Sequence, residues 1–248
     1  MKEKDFKNKS IVFPKRQRGD PVLSQDALFI PSQWEFKLAI DNFGLKNFKT
    51  SRLDFSSLYF LSSRNKRIAI VGPAIGAPAA VLILEKLIVL GVRNVFVLGS
   101  CGSLQDDIKI GDIIIPEEAI REEGTSFHYI NRDFVPRASG KMVGLISKIC
   151  LRQGLDHKIG KIWTTDAPYR ETIKKVEKYK KQNILGVDME LSALFTVAFS
   201  KKISLGALLI VSDELSSLKW KREFHSKKFK TSFRDGCKIV LEAIERFS

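Results

Sequence analysis

From residue 67 onward, short apolar runs of strand length alternate with helix-length segments, and that alternation most restricts what this chain can fold into. Ile68-Ala69-Ile70-Val71 stops at Gly72-Pro73, as a buried strand does when its core-facing stretch ends. A turn of glycine, proline and alanine follows. Pro78 sits at the start of a helix expected over 79–90, which Gly91 ends. The same alternation predicts strands over 94–98, 113–115, 159–164 and 207–211, with a weaker one at 27–30. Helices are expected over 141–152, 171–181, 191–200 and 233–247. Strands interleaved with helices in this way specify an α/β domain with a mostly parallel or mixed sheet covered by helices.

The whole chain sets limits on function. Its 248 residues suit one large domain, expected over 27–248 behind a basic N-terminal arm, 1–26, that carries Pro14 and Pro21. An apolar fraction of 44% supplies a core. Cys101, Cys150 and Cys237 fit neither a disulfide framework nor a zinc knuckle, and reduced thiols are the simplest reading. No apolar run approaches a membrane span of about 20 residues, and the charged N-terminus lacks a signal-peptide core, so a cytoplasmic protein with no membrane partner is expected. The three histidines, His128, His157 and His225, show no ligand spacing, so neither a metal nor an organic cofactor is expected.

The formal charge of +14 is concentrated in two places. Seven basic side chains fall within 1–20 and seven within 216–234. No nucleic-acid recognition motif accompanies them, so a nucleic-acid partner is not expected. Solvated basic segments account for the pattern. Alternatively, such a basic balance goes with an anionic ligand.

Four segments fall where open sheets place ligands, at the carboxyl ends of strands. Gly72 to Pro78 is a glycine-containing turn whose amides can hold an anion or a hydroxyl, with Gly76 as its candidate contact. Gly99-Ser100-Cys101-Gly102 lets backbone approach a flat ligand and adds a small donor and acceptor in Ser100. Gly186-Val187-Asp188-Met189-Glu190 brings two carboxylates to the start of an apolar helix. Asp188 fits the role of a helix cap there, whereas Glu190 needs a partner to offset its desolvation. Val211-Ser212-Asp213 places an acid directly after a strand, as a turn residue or as a general acid of raised pKa.

Taken in order, Gly-x-x-x-Gly-x-Pro, Gly-Ser-Cys-Gly, Gly111-Asp112, Val-Asp-Met-Glu and Val-Ser-Asp resemble the purine-nucleoside/uridine phosphorylase superfamily of trimeric and hexameric type. The likeness runs over roughly residues 66–247. It implies a three-layer α/β/α sandwich with a mixed central sheet and a partly closed barrel, and a homo-oligomer: a dimer, trimer or hexamer. It implies that Glu190 binds the ribose 2′ and 3′ hydroxyls with Met189 packed on the sugar. Val187, Cys101 and Gly102 would line the base, with Asp213 at purine N7 beside Ser212. The reaction implied is cleavage of a nucleoside N-glycosidic bond, purine favoured, with inorganic phosphate as co-substrate held in part by Ser100.

The chain departs from that pattern at the phosphate end. Val97 stands where the family has an arginine, and the segment 31–36, ending at Phe36, lacks both the glycine and the arginine of the family's N-terminal motif. Arg52 is the candidate replacement for an arginine contributed by a neighbouring subunit. Pro168 takes the slot of an aromatic that stacks on the base, with Tyr169 or Trp163 to compensate, and Phe229 falls where an arginine assists the acid. Phosphorolysis is the first expectation. Hydrolysis of a nucleoside or nucleotide, or binding without turnover, stay open beside it. The resemblance also implies that the 216–234 segment covers the pocket, where its lysines and arginines would select an anionic substrate, a nucleotide.

Overall fold

The computed structural model describes residues 10–46, 48 and 50–247. Residues 1–9 of the expected arm lie outside the described residues. From residue 10 to Gln25 the arm has no strand or helix, and it is tied to the body where the buried Lys86 ammonium meets Asp20 at 2.7 Å and the Lys15 carbonyl at 2.9 Å.

Among the described residues, ten strands form one mixed sheet. In chain order they are β1 (Asp26–Phe29), β2 (Ser51–Leu53), β3 (Ser56–Ser63), β4 (Lys66–Gly72), β5 (Asn94–Ser103), β6 (Ile113–Glu122), β7 (His157–Thr165), β8 (Gly186–Asp188), β9 (Ser204–Glu214) and β10 (Lys221–Arg222). Spatial order is β10-β9-β6-β7-β8-β5-β1-β4-β3-β2. An additional β9–β5 pairing closes β5, β9, β6, β7 and β8 into a ring. The barrel has parallel pairs (β5–β9, β6–β7, β7–β8) and antiparallel ones (β6–β9, β5–β8).

Among the described residues, six α-helices cover the sheet: α1 (Gln33–Asn42), α2 (Ala77–Val89), α3 (Gly140–Arg152), α4 (Ile173–Lys181), α5 (Leu191–Lys201) and α6 (Lys227–Arg246). α3, α6 and α1 form one layer, and α2 packs on α5 in the other. The result is a three-layer α/β/α domain. α5 is buried on nearly every side because its sequence is apolar all round. α6 instead shows one face, with Phe229, Phe233, Cys237, Val240 and Ile244 recurring every three or four residues and buried. No helix among the described residues is long and apolar enough to cross a membrane.

Several boundaries differ from the sequence reading, each for a local reason. Gly99 to Gly102 does not stop a strand: β5 continues through it, and the expected turn is a strand end inside the barrel wall. Pro116 likewise lies within β6, at a bulge between Pro116 and Glu118 where the ladder does not need its missing N–H. β9 runs on to Glu214, because the polar Ser212-Asp213-Glu214 faces a cavity and a salt bridge rather than a turn. α6 begins at Lys227, not 233. Ser226 caps it by accepting from the Phe229 amide at 3.2 Å, and Lys227, Lys228 and Lys230 belong to its first turns. The hairpin β2–β3 and helix α1 carry too little apolar periodicity to be read from sequence.

Candidate active site

A cavity of about 690 Å³ opens at the barrel's rim, at the carboxyl ends of β5 and β9. It is lined by Ser100, Cys101 and Gly102, by Val187 to Glu190, and by Ser212 and Asp213. Three sequence segments some 85 and 25 residues apart thus meet at one wall. Gly76 is the exception among the expected contacts. It does not line the cavity but holds a residue that does.

That residue is Glu190. Gly76 has φ 84° and ψ 150°, a conformation that a Cβ disfavours. In it, the Gly76 amide donates to Glu190 Oε1 at 2.6 Å. One carboxylate oxygen is therefore fixed, and the other is left for a ligand. Asp188 is the helix cap that the sequence allowed. Its Oδ2 accepts from the Glu190 and Leu191 amides at 3.0 and 2.7 Å, and its Oδ1 accepts from the Thr164 hydroxyl at 2.6 Å. Burial holds both carboxyls above the usual range, and Asp188's charge raises Glu190 further. Met189, half-buried between them, faces the cavity.

Asp213 reaches the cavity through a bulge. Cys101 pairs with Val211 and Gly102 with Asp213, so Ser212 is an extra residue on β9 that re-aims the strand end. The Ser212 hydroxyl lies 2.7 Å from Asp213 Oδ1, and the Trp220 indole N–H donates to Oδ2 at 2.8 Å. Gly102 is required by close approach. A Cβ there would stand 2.7 Å from Leu215 Cδ1 and 3.0 Å from Asp213 Oδ2. Burial raises the Asp213 pKa against the two donors, which lower it.

The third group escaped the sequence reading. Glu35, one turn into α1, lies in the cavity wall and accepts a hydrogen bond from the Ser100 hydroxyl at 2.5 Å. Burial pushes its carboxyl up to about 7. Ser32-Gln33-Trp34-Glu35 has the spacing of a capping box, and Ser32 does accept from the Glu35 amide at 3.5 Å. The Glu35 side chain, however, turns inward to Ser100. Glu171, also unremarked in the sequence, lines the same cavity as Asp213 and is pushed up to about 7, chiefly by burial and then by Asp213's charge.

Other expectations are corrected. Trp163 is fully buried, with its N–H on Glu122 and its ring on Tyr179, and cannot stack on a ligand. Tyr169 is at the cavity mouth, 91% exposed. Phe229 is core, against Trp34 and Phe233. Val97 lines the cavity as an apolar wall, and Arg52 is exposed on edge strand β2. The idea that the 216–234 segment selects an anionic ligand loses its basis. Among the described residues, Arg222 is the single basic side chain lining the cavity, against Glu35, Glu171, Asp188, Glu190 and Asp213. Lys219 is exposed, Lys221 pairs outward with Glu214 at 3.2 Å, and Lys228 faces Asp112 at 3.8 Å.

A closed mixed barrel inside an α/β sandwich, with a carboxylate pocket where two strand ends meet, defines an enzyme scaffold. Residues 26–245 match the phosphorylase superfamily, and the chain belongs to that family as a nucleoside phosphorylase-like enzyme. It is 30% identical over 228 residues, 91% of each chain, to a DeoD-type purine nucleoside phosphorylase of Buchnera aphidicola subsp. Acyrthosiphon pisum. To the DeoD-type enzyme of Clostridium novyi it is 32% identical over 184 residues, 73% of this chain and 78% of the other. The fold is similar to that of uridine phosphorylase from Vibrio fischeri ES114 (TM-score 0.80, 24% identity, 90% and 93% of the two chains). It is also similar to that of purine nucleoside phosphorylase from Toxoplasma gondii (TM-score 0.79, 20% identity, 90% and 91%).

Proposed function

We propose that this chain cleaves the N-glycosidic bond of a nucleoside, a purine favoured, and that water is the acceptor. The observation that carries the choice of acceptor is Glu35. A buried carboxyl raised to about 7 lies in the cavity wall, hydrogen-bonded to Ser100, and in this reading a nucleophile approaches the sugar from that end. A carboxyl with a pKa near neutrality suits a general base. Phosphate there would meet two carboxyl groups, Glu35 and Glu190, with no guanidinium or ammonium among the described residues beside them on this wall, so its charge would be buried without a partner.

In this reading Glu35 takes a proton from water as its oxygen bonds to C1′. The C1′–N bond breaks with its electron pair passing to the base, and Asp213, protonated, gives its proton to purine N7. Glu190, fixed through Gly76, accepts from the ribose hydroxyls with its free oxygen, and Met189 covers the sugar. Positive charge that builds on the ribose faces carboxylates, and negative charge on the base faces an acid. The reaction is written with no metal and no organic cofactor. A homo-oligomer belongs to the same proposal, with Arg52 on the exposed edge strand as the side chain to reach a neighbour's pocket.

Phosphorolysis is the second reading, favoured by the names of the curated relatives. A nucleoside panel incubated with and without phosphate, followed by chromatography of free base and sugar, decides between them. Free ribose released at a rate indifferent to phosphate supports hydrolysis. Strict phosphate dependence with ribose 1-phosphate as product selects phosphorolysis, and no base release under either condition sinks both.

A further inference from the structure

The segment between β9 and β10 returns over the cavity by a defined path. Leu215 donates to the Ser103 carbonyl at 2.9 Å, and Leu218 closes a turn onto the Leu215 carbonyl at 2.9 Å. Leu218 adopts φ 60°, a left-handed conformation uncommon for a leucine, and this reverses the chain. β10 then pairs with β9, Arg222 opposite Asp213, and the Glu223 amide donates to the Ser212 carbonyl at 3.1 Å. The path delivers Trp220 to the cavity wall with its N–H on Asp213 Oδ2.

Trp220 is 50% exposed. A tryptophan contributes to a core by burying its ring, as Trp163 does here at 0% exposure. Trp220 leaves half of its surface in water and turns its N–H inward onto Asp213. The Arg222 guanidinium lies 5.2 Å from its ring centroid and Phe224 sits edge-on at 6.3 Å, so the ring is braced by two neighbours that also line the cavity.

We propose that Trp220 is the positioning residue for Asp213, with its indole N–H fixing Oδ2 while its ring closes the base end of the cavity. The proposal rests on Asp213 as the acid of the cleavage reading. An indole N–H donates but does not titrate. It therefore orients the carboxyl and favours its ionised form without supplying the proton, which must come with solvent or substrate. The other ionisable groups that face Asp213 are Glu171 from the segment before α4, Cys101 from β5 and Arg222 from β10. Burial raises the Cys101 thiol well above its usual range, so it stays neutral. Trp220→Phe keeps an aromatic ring against the Arg222 guanidinium and leaves Glu171 in place.

The test is Trp220→Phe, which keeps an aromatic wall and removes the donor, studied beside Trp220→Ala and Asp213→Asn. If protonated Asp213 is the working form, activity is lost as pH rises through its pKa. Removing a donor to the ionised form moves that limb of kcat/KM up by about one pH unit. Trp220→Phe shifted in this way supports the proposal. Trp220→Phe and Trp220→Ala that both raise KM with the limb unmoved overturn it, since that is the behaviour of a wall alone. A second readout needs no turnover. The difference in tryptophan emission between wild type and Trp220→Phe is followed against pH, and then the same difference on the Asp213→Asn background. A titration present in the first and absent in the second supports the contact. A titration that survives Asp213→Asn, or none in the wild type, overturns it, even in a chain that cleaves no nucleoside.

Discussion

Glu35→Gln separates what the Glu35 carboxylate costs the fold from what it does for the reaction. Glu35 is 5% exposed and its carboxyl is raised from 4.5 to about 7 by burial. Between those values the folded state binds a proton that the unfolded chain has released, so stability falls as pH rises from about 4.5 to about 7 and stays low above it. At roughly 1.4 kcal/mol per pH unit, the burden at pH 8 is about 3 kcal/mol, and at pH 5 it is under about 1. Glutamine keeps the shape and still accepts from Ser100, and burying its amide NH2 takes back about 1 kcal/mol. The variant is expected to be about 2 kcal/mol more stable than wild type at pH 8, a Tm higher by roughly 4–8 °C. At pH 5 the two are expected to unfold nearly together. Nucleoside cleavage is expected to fall by about 10²- to 10⁴-fold, the usual contribution of a general base. Thermal unfolding at both pH values and a base-release assay read the two effects. Parallel unfolding at pH 5 and pH 8 would refute the buried-ionisation argument, and an unchanged rate would refute the role of Glu35 as base.

Two more substitutions probe the opposite wall. Gly102→Ala puts a Cβ 2.7 Å from Leu215 and 3.0 Å from Asp213; displacement of the acid is expected to weaken purine binding at least about tenfold, and an unaltered calorimetric Kd would show that the wall yields. Asp188→Asn can keep its oxygen on the Glu190 and Leu191 amides only by turning its NH2 to Thr164, whose hydroxyl, already accepting from the Ser192 amide, then loses the acceptor for its own proton. A loss of about 1–3 kcal/mol is expected in urea unfolding, and equal stability would mean that the network is not needed.

Much of the site was legible because it lies in short contiguous motifs. Val187 to Glu190 and Ser212-Asp213 carry their own chemistry, an acid at a helix start and an acid at a strand end, and the cavity brings them together. Asp188 even kept its bland role as a cap. Glu35 was hidden by a local pattern that explains it equally well, the Ser32-x-x-Glu35 capping box, and nothing nearby signals that its side chain leaves the helix end. Trp220 and Glu171 were hidden differently. One sits in a basic segment and the other at the head of a charged helix, and both read as solvent-facing. For α6, lysines on the outer face of its first turns masked the apolar spacing that begins at Phe229.

The sequence by itself determined the α/β layering, because apolar periodicity and glycine or proline stops act over a few residues and need no partner. It also singled out Ser100 to Gly102, Val187 to Glu190 and Ser212-Asp213, which line one cavity, since those side chains sit in short contiguous segments. Closure of β5 onto both β9 and β8 was decided only by the tertiary structure. So was the bulge at Ser212 that turns Asp213 inward, and so was the burial of Glu35 against Ser100 in the cavity wall. Those features depend on which groups share a low-dielectric space after the chain has folded. Desolvation and charge proximity are properties of that space, and no stretch of sequence carries them alone.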